Sequence, residues 1–243
     1  MKSIPPLLAI LFVLTACSDD SESCDGPFLD KIDSKKVYYY NNGLVAQLTW
    51  GRVTKFYYSE TGQVTEITTP LEEHSLVDQA RFFYNEDGTI NYILRYQDGV
   101  QVDSIAITSD TQQRIIKLMD FKPHFEDPEL RLYETVEYEY EGMNSTKSMI
   151  YRYNGYEQTT LTEYDNNPRP FPAEARFMAF LSTPYYFSEN NVTRFTYQTN
   201  TGGNLSTPQE FKYNTEGYPI KATLIGAITE FSYTCNPARV KVQ

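Results

Sequence analysis

Aromatic and aliphatic positions in this chain come in short runs interrupted by Asn, Asp and Gly, and within the runs a period of two dominates. Val136, Tyr138 and Tyr140 set against Glu137, Glu139 and Glu141 give the cleanest strand signature, because successive side chains of an extended strand point to opposite faces. The recurring unit is typified by Arg81 to Ile93: Phe82, Phe83 and Tyr84 run into Asn85-Glu86-Asp87-Gly88, and Ile90 and Ile93 follow. Such a stretch predicts a β-hairpin, since Gly88 takes positive φ without a Cβ clash and both flanks favour a pleated surface. Related copies stand at Val37 to Leu48, Thr54 to Ile67 and Phe211 to Leu224, with shorter ones at Tyr96 to Gly99, Tyr140 to Gly142, Tyr153 to Gly155 and Tyr197 to Gly202.

In three copies the apolar residues after the glycine are spaced three apart, as Val45 and Leu48, Val64 and Ile67, Ile90 and Ile93. A regular strand would place each pair on opposite faces, so either both faces are partly covered or a bulge resets the register. Gly43, Gly62, Gly88 and Gly99 are unevenly spaced, whereas a solenoid or propeller keeps a constant period. The predicted fold is therefore all-β: an antiparallel meander of consecutive hairpins forming a curled open sheet or partial barrel. Within it, Arg114 to Phe121 reads as a strand and Lys122 to Pro128 as a long loop. Tyr164 to Phe171 is too rich in turn residues to pair regularly. One short helix is expected over residues 172–182, opened by Pro172 and carrying Phe177, Phe180 and Leu181 on one face, where it would cover a face or open end of the sheet.

With 243 residues the chain can bury a core as a single β domain, and its 21 tyrosines against one tryptophan suit a half-wet sheet in which rings pack while hydroxyls reach water. Residues 1–16 read as a targeting segment: Lys2 is followed by an apolar run, Leu7 to Leu14, too short to span a bilayer as a helix. Leu14-Thr15-Ala16-Cys17 resembles a bacterial lipobox, which implies cleavage before Cys17 and acylation of that cysteine; ordinary secretory cleavage with a free Cys17 is the alternative. Several acyl chains anchor stably, at ~0.8 kcal/mol per buried methylene. Residues 17–27 form an acidic tether, and 28–243 the single β domain. Ser18-Asp19-Asp20-Ser21-Glu22 is similar to the signal that sends Bacteroidota lipoproteins to the outer face of the outer membrane; a plain solvated tether, with the periplasmic face as location, is the alternative.

The formal net charge is −11, and loss of Lys2 makes it more negative still. Without clustered Lys and Arg the chain is a poor ligand for nucleic acid or anionic lipid headgroups. Of the three cysteines, an acylated Cys17 would leave Cys24 and Cys235 as an even pair in an oxidising compartment, where a disulfide would tie the first ordered residues to the last strand. Two unrelated buried thiols are the other reading.

The lipobox, the Tyr-x-Tyr-Asn-x-x-Gly type of hairpin, Tyr164-Asp165-x-x-Pro168 with Pro170-Phe171, Ser188-Glu189-Asn190-Asn191-Val192, and Cys235 at the end of the last strand together resemble a family of tyrosine-rich Bacteroidota outer-membrane lipoproteins. That resemblance implies an antiparallel, porin-like or curled sheet and no catalytic residue. The hairpins are also similar to the tyrosine-aspartate repeats of large bacterial toxin shells.

His74 and His124 are the only histidines and no Cys or His grouping has metal-ligand spacing, so no metal or cofactor is expected. No phosphate-binding glycine loop, nucleophile elbow or dinucleotide fingerprint is present. Exposed rings are the more informative feature, because a sugar stacks on Tyr or Trp. Tyr38, Tyr39, Tyr40, Trp50, Tyr57, Tyr185 and Tyr186 are the candidates for a glycan or peptide ligand, although cross-strand aromatic pairs also stabilise exposed sheets. Asp103-Ser104-Ile105 is similar to the O-glycosylation acceptor pattern of these bacteria. The expected protein is a monomeric, lipid-anchored, non-catalytic surface module. Its alternatives are a structural lipoprotein that offers sheet edges to an envelope protein partner and a carboxylate-dependent glycan hydrolase.

Overall fold

The computed structural model of the chain describes residues 28–50, 52–69, 79–124, 127–170, 188–224 and 226–240. The expected leader, tether and helix over 172–182 lie outside these residues. Among the described residues eighteen strands run in chain order: β1 (Phe28–Ile32), β2 (Lys35–Lys36), β3 (Tyr38–Tyr39), β4 (Val45–Trp50), β5 (Arg52–Tyr58), β6 (Val64–Thr68), β7 (Gln79–Tyr84), β8 (Ile90–Gln97) and β9 (Val100–Ser109). They continue as β10 (Ile115–His124), β11 (Asp127–Glu141), β12 (Asn144–Arg152), β13 (Glu157–Pro168), β14 (Asn190–Thr199), β15 (Asn204–Tyr213), β16 (Pro219–Leu224), β17 (Ala227–Thr234) and β18 (Ala238–Arg239).

From β3 to β17 each strand pairs antiparallel with the next, which is the expected meander. The sheet curls until its ends approach. β1 pairs with β17 on one side and, through Lys31–Lys36 and Ile32–Lys35, with β2 on the other. β18 lies parallel to β3 over two residues. The approach is thus a seam of two-residue strands, not an uninterrupted ladder.

The spacing of three after each glycine is a bulge. In the loop Ser59 to Gln63 the amide of Gly62 donates to Ser59 O at 3.0 Å and that of Ser59 to Gln63 O at 2.8 Å, with Gly62 at φ 81°. Tyr58 then faces Val64 while Tyr57 faces Glu66, so one extra residue, Thr65, is absorbed and Val64 and Ile67 both reach the core. Tyr84–Ile90 and Tyr39–Val45 repeat the shift.

A second regularity ties the hairpins together. Tyr58, Tyr84, Tyr140, Tyr164 and Tyr233 each donate a hydroxyl hydrogen bond to the neighbouring strand, to the carbonyls of Val45, Val64, Ile115, Ser145 and Pro219 at 2.7, 2.6, 2.7, 2.6 and 2.8 Å. Every one of these carbonyls lies just beyond the last ladder pair with that strand, made by Gln47, Glu66, Lys117, Lys147 and Lys221 respectively. The phenol therefore continues the ladder where the backbone pairing has stopped. β9 ends on Ser109, which has no phenol to offer.

The inward face is apolar over the first half of the chain and over β16 and β17. There Ile32, Val37, Leu48, Phe56, Ile67 and Ile93 are fully buried in one cluster, closed from the other side by Ala222 and Phe231. Further along, the inward face of β11 to β15 turns polar, with Ser148, Thr160 and Thr207 buried beside Tyr138 and Phe195. The outward face is wet. Cross-strand ion pairs Arg81–Glu66, Lys117–Glu137, Lys147–Glu139 and Arg194–Glu163 stand on it at 3.2, 3.0, 2.7 and 3.6 Å, and Phe83 stacks on Tyr92 at 4.3 Å.

Replacing Tyr84 or Tyr140 by Phe removes one ladder-extending bond and should lower stability by ~1 kcal/mol each, read from the urea midpoint, whereas Tyr57→Phe on the outward face should be neutral. Burial raises the Tyr138, Tyr140, Tyr164 and Tyr233 hydroxyls above the ordinary tyrosine range. Their contribution is thus fully present below the unfolded tyrosine value of about 10 and is lost as pH rises above it toward the folded values. The urea midpoint should hold from neutral pH to about 9 and fall steeply above about 10, with phenolate absorbance appearing together with unfolding.

Candidate functional site

The charged part of the inward face begins where the apolar core ends. Arg95 on β8 lies two residues beyond buried Ile93, so alternation places its guanidinium inside. It bonds Asp103 on β9 through Nε and through Nη2 at 2.6 Å, and reaches Asp120 on β10 at 3.2 Å. The side chains of Arg95, Asp103 and Asp120 are 11%, 7% and 15% exposed. Burial alone would lower the Arg95 value, but its two carboxylates outweigh that and raise it; burial holds Asp120 above the usual carboxylate range against Arg95 and Lys122. Asp103, the first residue of the acceptor-like triplet, is thus committed to an internal ion pair.

Beyond this cluster β10 continues through Lys122, Pro123 and His124, where the sequence predicts a long loop. The strand persists because β11 extends to pair with it: Asp120 faces Glu134, Phe121 faces Leu132 and Lys122 faces Arg131, so Tyr133 is the residue absorbed by a bulge. A bulge turns two successive side chains toward one side, and Tyr133 joins Glu134 on the inward face. Proline is tolerated at such an irregular strand end.

The result is a groove of tyrosines and cations at the end of β10 to β13. Lys122 Nζ sits 4.3 Å from the Tyr133 ring centroid and 3.2 Å from Asp120. Arg152, at the end of β12, pairs with Glu134 at 2.7 Å and lies 4.9 Å from the centre of the Tyr156 ring. Tyr153 stands against Tyr133 with centroids 5.5 Å apart, and its side chain projects into solvent at 66% exposure. Tyr156 Oη donates to Gln158 at 2.8 Å, which in turn donates to Thr160, so a polar chain runs from the rim into the polar interior. Rings, cations and amide groups converge here on a single surface, an arrangement suited to a flat, hydroxylated ligand.

The aromatic candidates from the sequence are dispersed. Tyr39 is 3% exposed in the core and donates to Leu29 O at 2.9 Å, and Tyr40 donates to Phe56 O and meets Tyr58 edge-on. Tyr38 is half-buried on β3; Tyr57, 42% exposed, stands on the outward face; Trp50 ends β4. Tyr185 and Tyr186, like Cys17 and Cys24, lie outside the described residues. Cys235 is exposed just after β17. Sequence reasoning misses the groove because its members are scattered over Lys122 to Tyr156. Its trace in the sequence is Arg131-Leu132-Tyr133 and Arg152-Tyr153, cations beside tyrosines in a strongly acidic chain.

A polar clamp occupies the opposite end of β13. The Asp165 carboxylate accepts from Asn167 N, Asn191 N and Asn191 Nδ2 at 3.0 to 3.2 Å and from Tyr213 Oη, while Arg169 donates to Ser188 O at 2.7 Å. This is why Tyr164 to Pro168 pairs irregularly with β14: the ladder breaks between Tyr164 and Pro168 and side chains take over. No grouping of His, Cys, Asp and Glu among the described residues could hold a metal ion.

Compared with known proteins, the chain matches no family model and no curated protein. Among solved structures, a porin-like protein from Bacteroides uniformis aligns at 11% identity with a TM-score of 0.51, covering 82% of this chain and 88% of that one. A porin-like protein from Bacteroides vulgatus aligns at 13% identity with a TM-score of 0.40, covering 86% and 99%. The Photorhabdus luminescens Tc holotoxin pore aligns at 14% identity with a TM-score of 0.28, over 10% of its chain. The first of these shares the fold of the curled sheet; at this identity the likeness extends no further.

Arg95→Ala would strand the buried Asp103 and leave Asp120 with Lys122 as its counter-charge, and should destabilise the fold by ~3 kcal/mol in urea. Arg81→Ala, which opens an outward pair, should cost less than ~1 kcal/mol in the same assay.

Proposed function

We propose that the protein is an acyl-anchored β module of the outer membrane, facing the cell exterior, that captures a glycan on tyrosine rings without catalysis. The observation that carries the reading is the groove of Tyr133, Tyr153 and Tyr156 framed by Lys122 and Arg152, with Tyr153 offering a ring at 66% exposure. Anchoring by lipid, rather than by spanning, agrees with the sheet itself. β4 to β8 are 6, 7, 5, 6 and 8 residues long, against the ~9–11 of a membrane-spanning strand, so that although β9 to β15 reach 9 to 15 residues the sheet lacks a complete belt of spanning strands. The outward face carries mid-strand ion pairs where a lipid-facing surface would be apolar. The porin-like protein from Bacteroides uniformis shares the fold, and an envelope location is consistent with it.

The Cys24–Cys235 bond belongs to the same proposal. Its support is parity: Cys17 and Cys24 are the other two cysteines of the chain, and Cys235 stands exposed just after β17. With Cys17 acylated, Cys24 is the partner, and the bond would fasten the tether beside the seam at β18.

A scaffold that offers sheet edges has less support, because β1 and every strand from β3 to β17 is paired on both sides. The hydrolase reading has one observation in its favour: Asp120 and Glu134 face each other across β10 and β11. Both are recessed and ion-paired, to Arg95 and Lys122 and to Arg152, and a ligand would meet the cations and rings before the acids.

The test is direct. Mass analysis of the membrane-extracted protein should find an acylated N-terminal Cys17, lost in Cys17→Ala. A glycan array probed with the purified chain should return bound oligosaccharides that emerge unshortened, with binding lost in Tyr153→Ala and kept in Tyr57→Ala. No binding across the array would overturn the capture reading, and shortened products would replace it with the hydrolase.

A further inference from the structure

The groove shows cations to solvent although the chain is acidic. The chain as a whole carries −11. Within the groove the carboxylates are recessed: Asp103, Asp120 and Glu134 are 7%, 15% and 18% exposed, whereas Lys122 and Arg152 are each 38% exposed. An incoming ligand therefore meets ammonium and guanidinium groups first, with the acids behind them as counter-charges that hold those cations in place.

Register adds a second, independent observation. Lys122 and Arg131 stand directly opposite each other in the β10–β11 ladder, so their side chains leave the sheet on the same side. Two cations so placed converge on one point in front of the sheet, with Asp120 behind Lys122 as its counter-charge. The two cations flank Tyr133, the bulged residue, and Tyr153 stands against it. Lys122 covers the Tyr133 ring and Arg152 lies over Tyr156, which leaves the 66%-exposed Tyr153 as the stacking platform.

On the reading of the groove as a glycan site, which this step rests on, we infer that its ligand is an acidic glycan: a pyranose ring stacked on Tyr153 with its anionic substituent held by Lys122, Arg131 and Arg152. Carboxylate and sulfate share this chemistry. A bidentate guanidinium suits either, and the exposed cations locally offset the repulsion that an acidic chain exerts on an anion. A neutral sugar would use the ring and gain nothing from the cations.

Calorimetric titration of the purified full chain at low and at physiological salt separates the possibilities, using four probes: trigalacturonate, its methyl ester as a neutral counterpart, a chondroitin sulfate tetrasaccharide, and cellotriose. Trigalacturonate, the sulfated tetrasaccharide or both should bind at least about tenfold more tightly than the neutral probes, the difference shrinking as salt is raised. Lys122→Gln should weaken acidic probes several-fold without changing neutral ones, and Tyr153→Ala should weaken all that bind by about tenfold; both positions are exposed enough to leave the fold intact, checked by an unchanged urea midpoint. Carboxylated over sulfated binding, or the reverse, assigns the anion. Equal binding of charged and neutral probes, or binding indifferent to Lys122→Gln, overturns the acidic specificity and leaves glycan capture standing. Failure of all four, with no glycan bound on the array, removes both.

Discussion

A phenol that reaches past the end of a ladder is the contact on which this sheet depends. At five bulged hairpins a carbonyl near the start of the returning strand lies outside the regular pairing with the next strand, where it would be costly without a donor. Tyr58, Tyr84, Tyr140, Tyr164 and Tyr233 supply that donor from the next hairpin. The same hydroxyl is thereby satisfied, which lets the ring pack in a place where a free phenol would not settle. One residue type meets two needs at one corner, and this accounts for five of the 21 tyrosines.

The same corners set the curvature of the sheet. Bulges strengthen local twist, and a bulge at successive corners makes a long meander curl rather than lie flat. Curling gives the sheet an inside. Over β1 to β9, with β16 and β17 opposite, that inside is filled by aliphatic and aromatic side chains. Over β11 to β15 it is lined by Ser, Thr and Tyr, and the boundary is drawn by Arg95 with its two carboxylates. A buried ion cluster of this kind adds little net stability against an apolar replacement, but it penalises any register in which its members separate. The long strands β10 and β11, whose ladder is interrupted twice, have the most need of such a constraint.

The candidate groove is a by-product of the same backbone chemistry. Tyr133 reaches the inward face because it is the extra residue of a bulge, and Lys122 meets it because β10 outlasts the stretch whose Pro and His suggest a loop. The outward face, laced with ion pairs and stacked rings, is built for water. Rings and charges from β10 to β13 are thus gathered on the inward side of the sheet.

Much of this fold is legible in the residues. Asn, Asp and Gly between aromatic runs specify tight antiparallel turns because few backbones suit those positions. The spacing of three in Val64 and Ile67 leaves only a bulge or a sheet covered on both faces, because a pleat alternates by two. The meander and its curled form come from local chemistry repeated along the chain. Local chemistry does not say which tyrosines lie inside, however: Tyr39 and Tyr57 look alike as letters, and one is core while the other is exposed. Nor does it bring Lys122, Tyr133 and Arg152 together, because that depends on where two ladders slip by one residue and on which strands lie side by side. Side-chain alternation is a property of the strand and can be read from sequence; a shared surface is a property of register between strands, settled only when the whole sheet has paired.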